Sequence, residues 1–278
     1  MTTQFRPREA PRARSEVIEP FGTAKVHLLS PGVELRVFVS SHNGARNLLT
    51  GFLTLAPDAA YPYYVRPFSE ALVLLDGDVA VDVEERRYRL KLLDSISVTP
   101  QRPRRLVNLS TDRFATLHLS LAAPAPDQTW VNGRFTPIEQ PTDTTGRAGS
   151  ERLCRNDPKA RFELAPNTLF QDLFGAELGT QGICGGYGVF EPGARLPCHR
   201  HEFDESITIV QGVATCVVEG RRHDVPRNST ALVPEGCCHY FINLTLEVMT
   251  MVWVYAGDRP DRVVVDESHC HPEKTKTS

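Results

Sequence analysis

Long apolar runs are missing from this chain of 278 residues. No stretch of about 20 apolar residues occurs, so the sequence predicts no membrane-spanning helix and no membrane partner. The arginine-rich first 16 residues are not followed by an apolar segment, and we therefore expect no secretory signal. An excess of charge of one sign is also lacking. The formal net charge of −3, without a basic stripe, gives no electrostatic case for binding nucleic acid.

Several chemical signatures are absent as well. No glycine-rich phosphate loop opens a helix, and no serine nucleophile elbow occurs, which argues against nucleotide-binding and serine-hydrolase classes. The seven cysteines form an odd number with irregular spacing, so we expect reduced thiols in a cytoplasmic protein. The segment His269–Cys270–His271 contains metal-binding residue types but has no further partners nearby, and we expect no defined site there. The last residues, 271–278, are expected to be disordered.

A repeat organises the chain. When the sequence is shifted by 135 residues, its two halves align without a gap from about residue 51 to 110. Residues that coincide include Gly51 and Gly186, Pro57 and Pro192, Phe68 and Phe203, Glu70 and Glu205, Gly77 and Gly212, and Asn108 and Asn243. This self-similarity predicts two copies of one structural unit. We place them at residues 1–135 and 151–278, joined by a linker over 136–150 that is rich in Pro, Thr and Gly.

Both copies have the pattern of short β-strands. Runs rich in Val, Ile, Leu and Thr are bounded by turn residues, which predicts strands. The predicted strands are 71–75, 78–83, 95–99, 206–210, 214–218, 230–233 and 246–255. Many short strands at regular spacing favour an all-β barrel or a double-sheet jelly roll. Helical periodicity is weak, and a short helix near 168–174 is the one helix we expect.

Residue types that bind metals cluster in the second copy. His199 and His201 alternate along the chain, so in a strand their side chains face the same side. Glu205 opens the next predicted strand, and His239 follows a Pro–Gly turn. Three imidazoles and one carboxylate suit one divalent metal, with iron, manganese, nickel and zinc all open. A dication with one carboxylate keeps a formal charge of +1, which favours an anionic small molecule.

These residues closely resemble the two sequence motifs of the cupin superfamily. The first motif matches Gly193, His199, His201, Glu205 and Gly212, and the second matches Pro234, Gly236, His239 and Asn243. Because the repeat extends over both halves, the chain resembles a bicupin. The resemblance implies two tandem cupin barrels, each a double-stranded β-helix or jelly roll. It also implies that the metal ligands are His199, His201, Glu205 and His239.

The first copy departs from the motif. At the repeat offset, Tyr64, Arg66 and Arg104 replace the three histidines, and only Glu70 is kept. Arginine has no lone pair with which to ligate a cation, so we expect no metal in the N-terminal barrel. A buried carboxylate needs a partner, and we expect Glu70 to pair with Arg66 or Arg104. Two interpretations stay open: a degenerate barrel kept for structure, or a pocket in which Tyr64, Arg66, Glu70 and Arg104 bind an anion.

The resemblance implies a metal-dependent enzyme that acts on a small organic anion. Arg195, Phe241 and Asn243 lie near the ligands in the sequence and are candidates for the substrate pocket. Our first hypothesis is a dioxygenase-type oxidoreductase. The alternatives are a hydrolase similar to ureidoglycine aminohydrolases, another non-oxidative lyase or isomerase, and a non-catalytic metabolite-binding cupin. We expect a cytoplasmic homodimer.

Two families of bicupin enzymes are disfavoured by particular residues. Ureidoglycine aminohydrolases order their ligands as a Glu before two His and then a Gln, which differs from the order found here. Oxalate decarboxylases are longer bicupins that typically carry metal in both barrels. The substitutions Tyr64, Arg66 and Arg104 remove the first of those two metal sites.

Overall fold

The computed structural model of this chain describes residues 14–271. These residues form four β-sheets, with one short helix, α1 (Glu267–Cys270), and three short 3-10 helices at Ser41–Asn43, Pro158–Ala160 and Ala176–Leu178. The predicted all-β fold is confirmed. No helix among the described residues is long and apolar enough to cross a membrane.

The strands follow one another in the same order in both halves. The first half contains β1 (Val17–Glu19), β2 (Lys25–Ser30), β3 (Val33–Val39), β4 (Leu49–Leu55), β5 (Ala60–Val65), β6 (Glu70–Asp76), β7 (Val79–Val83), β8 (Arg86–Leu90), β9 (Ser95–Val98), β10 (Arg104–Asn108), β11 (Ala115–Leu121), β12 (Thr129–Trp130) and β13 (Ile138–Glu139). The second contains β14 (Glu151–Cys154), β15 (Phe162–Ala165), β16 (Thr168–Phe174), β17 (Cys184–Phe190), β18 (His199–Arg200), β19 (Glu205–Gln211), β20 (Val213–Val218), β21 (Arg221–Pro226), β22 (Thr230–Val233), β23 (His239–Ile242), β24 (Met249–Tyr255) and β25 (Val263–Val264).

Two sheets build each barrel. In the N-terminal barrel the orders are β14-β9-β6-β11-β4-β3-β2 and β12-β5-β10-β7-β8-β13. In the C-terminal barrel they are β1-β22-β19-β24-β17-β16-β15 and β21-β20-β23-β18-β25. The internal duplication is visible in the strand bounds, because β3 and β16, β4 and β17, β6 and β19, and β9 and β22 begin and end 135 residues apart.

The helix predicted near 168–174 is wrong. This segment is strand β16, which pairs with β15 on one side and β17 on the other. Its sequence, TLFQDLF, fits either periodicity over so short a length. Two flanking strands supply backbone partners, and that tertiary context decides the conformation.

Buried apolar side chains form four clusters among the described residues, and three of them build the barrels and their junction. One core lies inside the N-terminal barrel and includes Leu53 and Leu106, and a second lies inside the C-terminal barrel and includes Ile207 and Trp253. The third cluster joins the two barrels, with members from both halves such as Phe52 and Val252. The outer faces of the larger sheets are therefore buried against each other, which explains why those strands are apolar on both faces.

Each half contributes one strand to a sheet of the other barrel. Strand β1 pairs with β22, with Val17 opposite Leu232, and β14 pairs with β9, with Leu153 opposite Ile96. At the repeat offset β1 and β14 are equivalent strands, and so are β9 and β22. The exchange is therefore reciprocal, and it covers one edge of each large sheet.

Ion pairs hold the exchanged N-terminal segment, residues 14–19, to the C-terminal barrel. Arg14 donates two hydrogen bonds to the carboxylate of Asp204, at 2.5 and 2.6 Å. Glu16 accepts from Arg221 and lies 2.7 Å from His223. Burial alone would raise the pKa of Glu16, but these partners outweigh it and lower the pKa to about 2.

A buried histidine lies at the junction between the barrels. His118 is fully buried, and its Nε2 is 3.1 Å from the hydroxyl of Thr208 in the other half. Burial lowers the pKa of His118 from 6.5 to about 3, because no carboxylate compensates a charged imidazole there. Folding therefore favours the neutral form. The stabilisation from this group is complete above about pH 6.5 and is lost as the pH falls toward 3.

We expect the substitution His118→Gln to flatten the acid limb of the stability profile. Each pH unit in the titration range contributes up to about 1.4 kcal/mol in the wild type, since only the unfolded state takes up the proton. Urea unfolding of both proteins between about pH 6 and pH 4 measures the difference. Parallel curves for the two proteins would show that His118 does not titrate on unfolding.

Candidate metal centre

Four predicted ligands converge inside the C-terminal barrel. His199 lies in β18 opposite His239, which opens β23, and Glu205 opens β19. His201 follows β18 directly. One ligand atom from each of the four residues lies within 4.8 Å of the others, and all four residues are buried. The predicted site of three histidines and one glutamate is confirmed as a single metal-binding group.

Backbone carbonyls fix the orientation of all three imidazoles. The Nδ1 atom of His199 lies 2.7 Å from the carbonyl oxygen of Pro197, and that of His239 lies 3.0 Å from the carbonyl oxygen of Cys237. The Nδ1 of His201 is hydrogen-bonded to the carbonyl oxygen of Asp261. A carbonyl only accepts, so each Nδ1 carries a hydrogen, and in the neutral form of each ring the Nε2 lone pair is then available to a metal. Metal-bound histidines are typically held this way.

The donor set fits a divalent cation. The Nε2 of His239 lies 2.8 Å from the Oε2 of Glu205, and the Nε2 of His201 lies 3.3 Å from the same oxygen. The Nε2 of His201 is also buried and has no hydrogen-bond partner within residues 14–271. Lone pairs that face each other at such distances repel unless a cation lies between them. Burial lowers the pKa of His199 well below 6.5, which favours the neutral, ligating form.

The equivalent position in the N-terminal barrel holds a buried ion cluster. The hydroxyl of Tyr64 donates to Glu70 at 2.6 Å, Arg66 Nε donates to the same carboxylate, and Arg104 Nε lies 3.3 Å from it. Arg66 also donates to the carbonyl oxygen of Pro126 at 2.7 Å, the repeat equivalent of the Asp261 carbonyl. Two guanidinium groups and one carboxylate sum to +1, the formal charge of a dication beside one glutamate. The guanidinium groups thus occupy the place of the metal, and binding of an external anion there stays a prediction.

The residues proposed from sequence for the substrate pocket have other partners. Arg195 donates to Glu267 at 2.7 Å and lies over the ring of Tyr240. The side-chain amide of Asn243 donates to backbone carbonyl oxygens at 2.7 and 3.0 Å. Asn108, its equivalent in the barrel without ligands, makes the same kind of contact. Phe241 packs in the barrel core, with its ring centroid 6.4 Å from that of His239. A role for these three residues in substrate binding stays a prediction.

The last described residues form a strap, defined here as residues 261–271, that crosses beside the ligands. Its strand β25 pairs with β18, and the carbonyl oxygen of Asp261 is the partner of His201. A disulfide between Cys198 and Cys270 ties the strap to the ligand strand. The prediction of reduced thiols is therefore wrong for Cys198 and Cys270. The disorder predicted for the last residues falls, from residue 272 on, outside the described part of the chain. Cys198 does face away from the ligands, as alternation requires, and that places it against the strap.

We expect thiol titration of the denatured protein to report five free thiols without reductant and seven after reduction. The cysteines outside the disulfide are Cys154, Cys184, Cys216, Cys237 and Cys238. The substitution Cys270→Ser should raise the unreduced count to six, counting the released Cys198. Seven thiols in unreduced wild-type protein would contradict the bond.

Two residues near the site were missed from sequence. The ring of Tyr255 lies 4.4 Å, between centroids, from that of His201. Burial and the charge of Glu205 raise the pKa of Tyr255 well above 10, so the phenol keeps its proton. Arg262, in the strap, lies within reach of that phenol. Arg262 could not have been found from sequence, because no motif includes it and only the course of the strap brings it near the site. Tyr255 could have been found at the end of a predicted strand that neighbours Glu205.

Comparison with known proteins agrees with this fold. Residues 186–255 match the Cupin domain family. A structure of Bacillus subtilis oxalate decarboxylase, with Mn(II) centres, superposes with a TM-score of 0.74 at 14% identity, covering 93% of this chain and 82% of that one. The chain has the bicupin fold. The formate complex of Lactobacillus farciminis oxalate decarboxylase resembles this bicupin with a TM-score of 0.70 at 13% identity, covering 93% and 90%. No curated protein matches the sequence of the bicupin.

Proposed function

We propose that this bicupin is a metal-dependent enzyme that acts on a small organic carboxylate in its C-terminal barrel. The observation that carries the proposal is the convergence of three imidazoles and one carboxylate, all held by the fold. Such a set binds a dication and leaves a positive formal charge, which attracts an anion. A barrel used only for binding has no need of a complete ligand set, and the N-terminal barrel has lost its own.

Each residue of the centre has a defined part. His199, His201 and His239 would hold the ion through Nε2, and Glu205 would neutralise one of its two charges. A bound divalent ion supplies Lewis acidity toward a carboxylate oxygen. Tyr255, with its phenol protonated, offers a hydrogen-bond donor beside His201 to a bound anion. Buried walls keep water away from this position, which strengthens every electrostatic contact inside it.

Cleavage of a carbon–carbon bond with release of carbon dioxide is the reaction class we favour. Support comes from the likeness in fold to oxalate decarboxylases over most of this chain. The N-terminal barrel lacks a metal motif, which distinguishes this chain from a bicupin with two metals. The substrate therefore need not be oxalate, and oxalate is one candidate in a panel of carboxylates. Dioxygenase chemistry is the second candidate, because three histidines and one glutamate also suit Fe(II) and leave positions open for dioxygen.

Two parallel assays separate these reactions. Protein loaded with Mn(II) or Fe(II) is incubated with a panel of carboxylates, while carbon dioxide release and oxygen consumption are both recorded. Carbon dioxide release without net oxygen uptake supports the lyase, and stoichiometric oxygen uptake supports the dioxygenase. His239→Ala, which lacks one ligand, serves as the control for adventitious metal chemistry. Stoichiometric metal with no turnover of any acid would favour a metabolite-binding protein.

A further inference from the structure

A cavity of about 600 Å³ adjoins the C-terminal barrel. Its volume lies within the range of small-molecule sites in proteins, about 300–1,000 Å³. Much of its lining is apolar, including Phe162, Phe174, Trp253 and Pro260. The cavity is far larger than a dicarboxylate of two carbons. Together with the apolar lining, this size favours a ligand that has an apolar body.

The cavity and the metal centre share a wall. Glu205, Tyr255 and Cys184 lie opposite one another on the adjacent strands β19, β24 and β17, and Cys184 lines the cavity. Trp253, two residues before Tyr255, also lines it, with 5.0 Å between the two ring centroids. Because Tyr255 in turn contacts His201, one side chain separates the cavity wall from a metal ligand.

Two consecutive glycines in β17 shape this wall. A Cβ atom on Gly185 would lie 2.4 Å from the ring of Phe174, and one on Gly186 would lie 2.6 Å from the ring of Trp253. Both rings therefore lie against bare backbone, where any larger residue would displace them. The indole Nε1 of Trp253 is buried and has no hydrogen-bond partner within the described chain, so it is a free donor at this wall.

Arg262 follows directly on residues that line the cavity and that hold His201. It follows Asp261, whose carbonyl holds His201, and precedes Val263, which pairs with Arg200 of the ligand strand. Its buried Nε has no hydrogen-bond partner among residues 14–271. Pro260, two residues before Arg262, lines the cavity, and Tyr255, which contacts His201 and pairs with Cys184 of the cavity wall, lies within reach of the guanidinium group. One guanidinium group is therefore close to both sites.

We propose that Arg262 and this cavity form the substrate subsite, and that the substrate is a monocarboxylate with an apolar body of about the size of an aromatic ring. The carboxylate binds Arg262 beside the metal, since a guanidinium recognises that group with two parallel hydrogen bonds. The apolar body lies against Trp253 and Phe174. This inference rests on the proposed function and specifies its substrate class.

Binding of three probes to the metal-loaded protein tests the subsite. Phenylacetate has both features, acetate lacks the ring, and phenylacetamide lacks the charge. Calorimetry should give phenylacetate at least a tenfold higher affinity than either of the others. Arg262→Gln should remove the preference for phenylacetate over phenylacetamide, with an unchanged metal content. Arg222→Gln, which changes an exposed arginine in β21 outside the cavity lining, is the matched control and should alter affinity less than twofold.

Filling the cavity tests its part separately. Ala176→Trp adds an indole at the cavity lining, and Ala160→Trp does so from another exposed position there, in case the first variant folds poorly. Either should weaken phenylacetate at least tenfold and leave acetate unchanged. Equal affinities for all three probes, or an equal loss in Arg222→Gln, would overturn the inference while metal binding and turnover stand. Absence of bound metal in the wild type would instead remove the proposed function.

Discussion

Replacing His239 with alanine should lower the affinity of the protein for Mn(II) by more than about 100-fold while the barrel stays folded. Removal of a partner behind a ligand commonly costs 10- to 100-fold, and removal of the ligand itself should cost more. His239 is one of four donors, and its Nε2 lies 2.8 Å from Glu205. The fold should survive because an apolar core, not an ion, fills the barrel.

Metal content after dialysis and titration with Mn(II), with circular dichroism as the check on folding, measures this effect. His27→Ala is the matched control, because His27 lies in strand β2 of the other barrel and outside the ligand group. It should keep one metal per chain. Full occupancy in folded His239→Ala would mean that the ion binds elsewhere.

Replacing Glu70 with glutamine should lower the free energy of unfolding by about 3–5 kcal/mol, the usual cost of breaking a buried ion pair from one side. Arg66, Arg104 and Glu70 are almost completely buried. The substitution removes the only carboxylate that the described residues place against the two guanidinium groups. Urea unfolding at about pH 7 measures the loss. Glu139→Gln, in an exposed pair with Arg89 at 3.3 Å, should change stability by less than about 0.5 kcal/mol.

The same cluster predicts a pH dependence. Burial alone would raise the pKa of Glu70, but the charges of Arg104 and Arg66 outweigh it and lower the pKa from 4.5 to about 2. The stabilisation is therefore complete above about pH 4.5 and is lost as the pH falls toward 2. Wild type and Glu70→Gln should converge in stability over that interval. A constant gap between them would indicate that the carboxylate stays charged.

The sequence predicted the centre well because its determinants are local. Alternation placed His199 and His201 on one face, and the repeat offset aligned Glu205 with the start of a strand. The bounds of β4 and β17 confirm that offset at both ends. Tyr64, Arg66 and Arg104 replace the histidines in the first barrel, and the absence of a bound metal there stays a prediction.

Features that depend on distant contacts could not be predicted. Cys198 and Cys270 are separated by 72 residues, and their pairing depends on where the strap runs. Arg262 acquires its position only because β25 pairs with β18. The exchange of β1 and β14 could not be predicted either. β9 and β22 are repeat equivalents, so the sequence does not indicate which of them β1 or β14 pairs with.

The exchanged strands have a consequence for dissecting the protein. A nick in the exposed segment near Thr142–Gly146 would leave each fragment with a strand that completes its partner's sheet. The fragments should thus remain together as a non-covalent complex, whereas either fragment produced alone would leave a bare sheet edge and tend to aggregate. This architecture suits split-protein complementation, in which recovery of a metal-binding complex reports the meeting of two halves.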